Sequence, residues 1–118
     1  LHLYRDSLPH PGYAILRRWA ERLPTFVFTS NVDGHFARAG FPPDRVVECH
    51  GSIHHLQCRD GCGAPVWDAR EVAVSVDPDT LRAADPLPAC PACGGLARPN
   101  LLMFDDREWD PARVLAQE

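Results

Sequence analysis

No apolar run approaches the roughly 20 residues needed to cross a bilayer, so no membrane-spanning helix is expected. The first residues, LHLYRDSLPHPGY, lack the basic and apolar regions of a secretory signal peptide. Basic runs are also missing. Nucleic-acid binding needs Lys and Arg gathered on one face, and at a net charge of −4 the chain shows no such footprint. Direct nucleic-acid binding is therefore not expected, and a cationic partner fits the charge better. No internal repeat or low-complexity tract is present, which sets aside solenoid and disordered classes. A soluble protein, cytoplasmic in location, is the expectation these absences leave.

What remains is globular. A chain of 118 residues with 45% apolar content can build one small domain but not two full cores. It opens at Leu1 and stops just after the helix-like DPARVLAQE, so both ends read as cut and the chain is expected to be part of a longer protein.

Apolar residues at 15, 16, 19, 20 and 23 form one stripe of a helix within Pro9–Leu23, ended by Leu23-Pro24 because the residue before proline leaves the α region. TFVFT at 25–29 is a short buried strand, followed by the polar SNVDG and a short helix in HFARAG that ends at Gly40. RVVEC at 45–49 is a second strand and NLLMF at 100–104 a third. Strands separated by helical segments, with polar residues at their carboxyl ends, indicate a parallel α/β sheet. Ligands of such sheets sit just beyond those ends. Functional residues are thus expected after Thr29, Cys49 and Phe104.

Residues 56–98 differ in kind. They hold Cys58 and Cys62, then Cys90 and Cys93, with 27 residues between the pairs and little core-forming periodicity. Two close pairs can turn the chain round a zinc ion so that four sulfurs face it, and Gly61, Gly63, Gly94 and Gly95 suit the tight turns required. The alternatives are two disulfides or a redox dithiol at Cys90–Cys93, which would leave the first pair unexplained. His54 or His55 could replace a thiolate, but four cysteines already complete a set. Four thiolates leave no open position, so this zinc would be structural. The expected organisation is 1–55 with 99–118 as one α/β unit and 56–98 as a metal-held insert.

TSNVDGHFARAG (29–40), VVECHGS (46–52), the two cysteine pairs and ARPNLLMF (97–104) resemble, in order and spacing, the motifs of the sirtuin family of NAD-dependent protein lysine deacylases. PHPGYAILRRW resembles the helix that precedes the first of them. The resemblance implies a partial Rossmann-like parallel sheet, the sirtuin-type NAD domain, with an inserted zinc-ribbon module. It also implies NAD and zinc as cofactors and an acylated lysine of a protein or peptide as substrate, with nicotinamide and acetyl-ADP-ribose as products. His50 takes the place of the catalytic base, and an imidazole can accept a proton near neutral pH. Ser30, Asn31, Val32 and Asp33 match the cofactor-binding loop, and Leu102 and Phe104 the apolar acyl-lysine tunnel. Cys58, Cys62, Cys90 and Cys93 match the zinc ligands. Cys49 stands where the family has Leu and reads as a small buried hydrophobe.

Two departures stand out: Ser30 replaces the family's Gln, removing an amide, and Asp105 replaces a Gly that allows close backbone approach to peptide. The Gly-rich phosphate loop expected before Leu1 and a further motif expected after Glu118 lie outside the sequence. Residues 1–118 alone are therefore expected to bind NAD poorly and not to catalyse. Two other functions are compatible with the motifs: a catalytically degenerate module that binds zinc, an NAD metabolite or a protein, and an NAD hydrolase or ADP-ribosyltransferase on the same fold.

Overall fold

The computed structural model describes residues 2–118; Leu1 lies outside them. Two helices lead, α1 (His2–Asp6) and α2 (Gly12–Ala20), followed by strand β1 (Val27–Thr29), the short helix α3 (His35–Arg38) and strand β2 (Val46–Glu48). Then come β3 (Gly51–Cys58), β4 (Trp67–Asp68), β5 (Ala97–Leu101) and α4 (Ala112–Leu115).

β1 and β2 pair in parallel, Val27 opposite Val46 and Thr29 opposite Glu48, as the α/β pattern anticipates. Their shared core is small: Val27, Phe41 and Val46, with Ala20, Phe36 and Ala39 packed against it. Tyr13, Phe36 and Phe41 stack edge-to-face in series, with centroids 4.9 and 5.2 Å apart, a favoured aromatic geometry. The helix ends at Ala20, short of the expected stop at Leu23, and its expected stripe is only partly used. Ala20 reaches the core, whereas Leu16, Trp19 and Leu23 remain exposed among the described residues, as do Phe26 and Phe28 on the outer side of β1.

The third expected strand is placed differently. It runs Ala97–Leu101 rather than 100–104, and it pairs antiparallel with β3 in a separate sheet of order β4-β3-β5, not with β1 or β2. The reason is local: β2 turns back through Cys49–His50 straight into the eight-residue β3, which offers the nearest free edge. β3 runs unbroken across residues 55 and 56, joining the α/β part to the cysteine segment.

β3 and β5 approach closely at their shared end. A Cβ on Gly51 would lie 2.0 Å from the Asn100 carbonyl oxygen, and Gly51 has φ +79°, so only glycine fits on both counts. Beyond Ser52–Asn100 the register jumps to Leu56–Pro99, so Ile53–His55 bulge away from β5. A second core of Leu56, Ala69 and Ala97, with Trp67 and Val72 beside it, lies past the bulge. Two arginines tie the N-terminal segment down: Arg5 donates to the carbonyls of Ala69 and Val72, and Arg38 donates to those of Arg5 and Ser7.

Gly51→Ala is expected to destabilise the protein by about 2–4 kcal/mol, through overlap with backbone and a strained positive φ. Chemical denaturation measures it, and a midpoint unchanged from the parent would refute the close-packing argument.

Candidate functional site

The end of each parallel strand delivers a polar loop. From β1 the chain enters Ser30–Asp33, and from β2 the turn Cys49–His50. The two are stitched together, since the Cys49 N–H donates to the Thr29 carbonyl at 2.9 Å and its Sγ does so at 3.2 Å. Cys49 is thus a half-buried thiol with a hydrogen-bond partner, more open and more polar in its contacts than the small buried hydrophobe expected.

His50 is exposed, and its carbonyl accepts the Leu102 N–H at 3.0 Å. That bond brings the segment after β5 alongside the turn. His50, Leu102 and Phe104 consequently line one cleft of about 650 Å³, with Met103, Asp105 and Arg107 on the same wall. Leu102 and Phe104 are exposed rather than core residues, Phe104 completely so.

Ser30–Asp33 borders the same strand ends but does not line that cleft. Ser30 and Asn31 are exposed, and their side chains make no hydrogen bond among the described residues. Val32 and Asp33 are half-buried and structurally committed. The Val32 carbonyl accepts the Ile53 N–H at 2.9 Å. The Asp33 carboxylate accepts the His35 N–H at 2.9 Å, closing the turn into α3, while its other oxygen lies 3.6 Å from the His35 ring.

His54 plays a part that the sequence did not reveal. Its Nε2 lies 2.9 Å from the Asp33 carbonyl, and its ring occupies the space beside Gly34, where a Cβ would come within 2.7 Å. The bulge at 53–55 is therefore the seat of the Ser30–Asp33 loop. A bulge beside a site is a recurrent device for aiming a side chain, but no periodicity in SIHHLQ signals one.

His55, the other member of the pair, has its pKa lowered to about 4, first by burial and then by the Arg113 charge. Its Nδ1 is buried without a hydrogen bond among the described residues. Arg113 is itself ion-paired with the buried Glu48.

At Asp105 the backbone has φ +59°, the left-handed region that glycine adopts freely. Asp tolerates that region better than most residues. The departure from Gly thus keeps the backbone path and adds a carboxylate. Asp106 forms a two-pronged pair with Arg98 at 2.7 and 2.9 Å, which holds its carboxyl below the usual range.

The four cysteines converge. The sulfurs of Cys58, Cys62, Cys90 and Cys93 all lie within 4.8 Å of one another. Cys58 and Cys93 are 3.8 Å apart and Cys62 and Cys90 3.6 Å, too long for disulfides and matching the roughly 3.8 Å edge of a tetrahedron with metal–sulfur bonds near 2.3 Å. Gly61, Gly63 and Gly94 take positive φ at 60°, 85° and 74°, as knuckle turns require. The Cys62 N–H holds the Cys58 thiol down at about 7 and the Cys93 N–H lowers that of Cys90, whereas Cys62, despite the Ala64 N–H beside it, is pushed up to about 12 by its contacts with the Cys58, Cys93 and Cys90 sulfurs. The donor set fits zinc, with all four positions filled by protein.

The Sir2 family model matches residues 2–116. The chain belongs to the Sir2 family. This Sir2 chain is 31% identical over 99 residues to NAD-dependent protein deacylase 2 of Pseudomonas aeruginosa, covering 83% of the chain and 35% of that protein. It is 36% identical to NAD-dependent protein deacylase 1 of the same organism, over 83% of the chain and 37% of that protein. To the NAD-dependent protein deacylase of Aquifex aeolicus it is 33% identical over 105 residues, 88% of the chain and 38% of that protein. A solved Sir2 homologue in complex with NAD superposes with TM-score 0.68 at 26% identity, over 97% of the chain and 39% of that protein. Sir2 with a p53 peptide and NAD+ gives 0.66 at 27% identity, over 97% and 43%. The Sir2 chain thus spans between a third and a half of the length of these proteins.

Two outcomes follow from this geometry. Cys90→Ser is expected to lose stoichiometric zinc and to leave residues 59–96 unprotected in hydrogen exchange; full zinc retention would contradict a four-thiolate site. For His55, the unfolded chain takes up a proton near pH 6.5 and the folded chain only near 4. Stability is therefore expected to be complete above about 6.5 and to fall as pH drops toward 4. Because the ring is only partly buried, solvent screening holds the loss to about 1 kcal/mol. His55→Gln should flatten that acid limb in thermal melts at pH 7 and 4.5; an identical slope in both proteins would exclude His55 as its source.

Proposed function

We propose that the protein to which this chain contributes is an NAD-dependent protein lysine deacylase of sirtuin type, releasing nicotinamide and acetyl-ADP-ribose. One observation carries the reading: His50, at the carboxyl end of β2, faces the same cleft as the exposed apolar pair Leu102 and Phe104, beside the loop that ends β1. A base next to an apolar channel suits an acylated lysine, whose charge has been removed and whose chain is hydrophobic. The names of the relatives support the same chemistry.

The residues present fit NAD at the strand ends. The Ser30 hydroxyl and Asn31 amide stand free at the carboxyl end of β1, where nucleotides bind in open α/β sheets. When bound, NAD supplies an electrophilic ribose carbon with nicotinamide as its leaving group. Ser30 and Asn31 orient the ribose, and Val32 and Asp33 hold that loop in place through β3 and α3. His50 accepts a proton from a ribose hydroxyl at its imidazole nitrogen. Leu102 and Phe104 hold the acyl chain and keep water from the reacting carbon.

Zinc would be held by Cys58, Cys62, Cys90 and Cys93, and it supplies folding free energy to segment 56–98 rather than a reactive position. Its thiolates support a reducing, cytoplasmic setting. The left-handed Asp105 favours an enzyme over a degenerate binding module, because the cleft wall keeps the path that a glycine there would take.

The test uses the full-length protein. His50→Ala is expected to lower NAD-dependent deacylation of an acetylated peptide by about 10²–10⁴-fold, with zinc content and melting temperature unchanged. Equal rates for the two proteins would remove His50 as the base. NAD loss that does not depend on peptide would instead favour hydrolysis or ADP-ribosyl transfer.

A further inference from the structure

Gln57 precedes the zinc ligand Cys58 and is 2% exposed, yet no step of the chemistry above uses it. Its side-chain amide is nonetheless well bonded. Nε2 donates to the Glu108 carbonyl at 2.6 Å, and Oε1 accepts from the Asp110 N–H at 3.1 Å and from Asn100 Nδ2 at 2.9 Å. Asn100, fully buried on β5, also donates to the Asp110 carbonyl at 2.9 Å.

The residues so held directly follow the cleft wall, whose lining ends at Arg107. From Leu102 to Asp110 the chain has neither helix nor strand, so its shape depends on where it is fastened. It is fastened at Leu102 to the His50 carbonyl, at Asp106 to Arg98, and at Glu108 and Asp110 to Gln57. Phe104, Asp105 and Arg107 lie between these points and face the cleft.

We propose that Gln57 is a positioning residue that hangs the substrate wall of the His50 cleft from the zinc knuckle. The proposal rests on the zinc and deacylase readings above. Metal bound at Cys58 fixes the backbone of its neighbour, the Gln57 amide carries that position to Glu108 and Asp110, and the wall follows. His50 is held by the β2 turn and by the backbone contact of Gly51 with β5, neither of which uses the Gln57 side chain, so the wall beyond Leu102 can loosen without moving His50. An apolar side chain at 57 would remove the partners of the Asp110 N–H and the Glu108 carbonyl at a partly buried site, where unpaired groups are costly. The loop would move to satisfy them.

In the full-length zinc protein, Gln57→Leu is expected to retain zinc and to raise KM for an acetylated peptide by about 5-fold to 30-fold with kcat within about 2-fold. Amides of 102–110 should exchange faster, while those of β1 and β2 are unchanged. Gln57→Glu keeps the acceptor and loses the donor to Glu108, so it should fall between. Removing zinc from the wild type with a chelator should loosen 102–110 in the same way, in addition to freeing 59–96. Wild-type KM and exchange in a zinc-loaded Gln57→Leu protein would overturn the proposal, as would a protected wall after zinc removal. A loss confined to kcat would also overturn it. Should Gln57→Leu fail to fold, Gln57→Glu decides by the same KM and exchange criteria. A wild type without deacylase activity sinks the functional reading alone, since the exchange measurements still judge the link from knuckle to wall.

Discussion

β3 meets β5 at Gly51 so closely that no side chain could be placed between them, and the rest of the site is arranged around that contact. With Gly51 seated against the Asn100 carbonyl, the two-residue turn before it must project His50 outward. The strand after it must bulge at Ile53–His55 before pairing can resume at Leu56. The bulge carries His54 to the Asp33 carbonyl and the Ile53 N–H to the Val32 carbonyl, so the loop after β1 is held by the strand after β2. On the other side, Asn100 is fixed at full burial, and its amide meets Gln57. One backbone approach thus sets His50, the loop beside it and the anchor of the cleft wall.

Much of this could be read from residue types. Cysteines at 58, 62, 90 and 93 fold into one cluster because short loops with glycine at positive φ allow little else, and short-range geometry of that kind is written in spacing. The strands at 27–29 and 46–48 were legible because β-branched and aromatic runs ending in polar residues have few other uses. The partner of NLLMF was not. Its apolar character is satisfied equally by a parallel or an antiparallel neighbour, and only the tight turn at Cys49–His50, which returns the chain at once, settles the choice. The role of His54 was hidden for a similar reason: a histidine pair in a strand reads as one residue on each face until a bulge reorients both.

The α2 stripe teaches a different lesson. Its periodicity correctly marks a helix, but Leu16, Trp19 and Leu23 stay exposed in a chain that spans under half the length of its relatives. A pattern of apolar residues specifies which face will be covered, not what covers it.

Why such a construction needs a metal follows from the size of its two cores. Leu56, Ala69 and Ala97 form the buried apolar centre beside the cysteine pairs, and at roughly 1.5–3 kcal/mol for each large buried side chain, with less for alanine, they offset only a few residues' ordering entropy. The remainder of the segment, through its proline-rich stretch, has almost nothing else to bury. A tetrahedral thiolate site contributes on the order of 10 kcal/mol at a single point, enough to order a coreless segment provided that the chain transmits it. Transmission is cheapest where a ligand sits at the end of a paired strand, as Cys58 does at the end of β3. The next buried polar side chain on that strand, Gln57, then reaches the irregular segment that lines the cleft with His50. Stability acquired at the metal and precision needed at the cleft are therefore joined through the shortest path the fold provides.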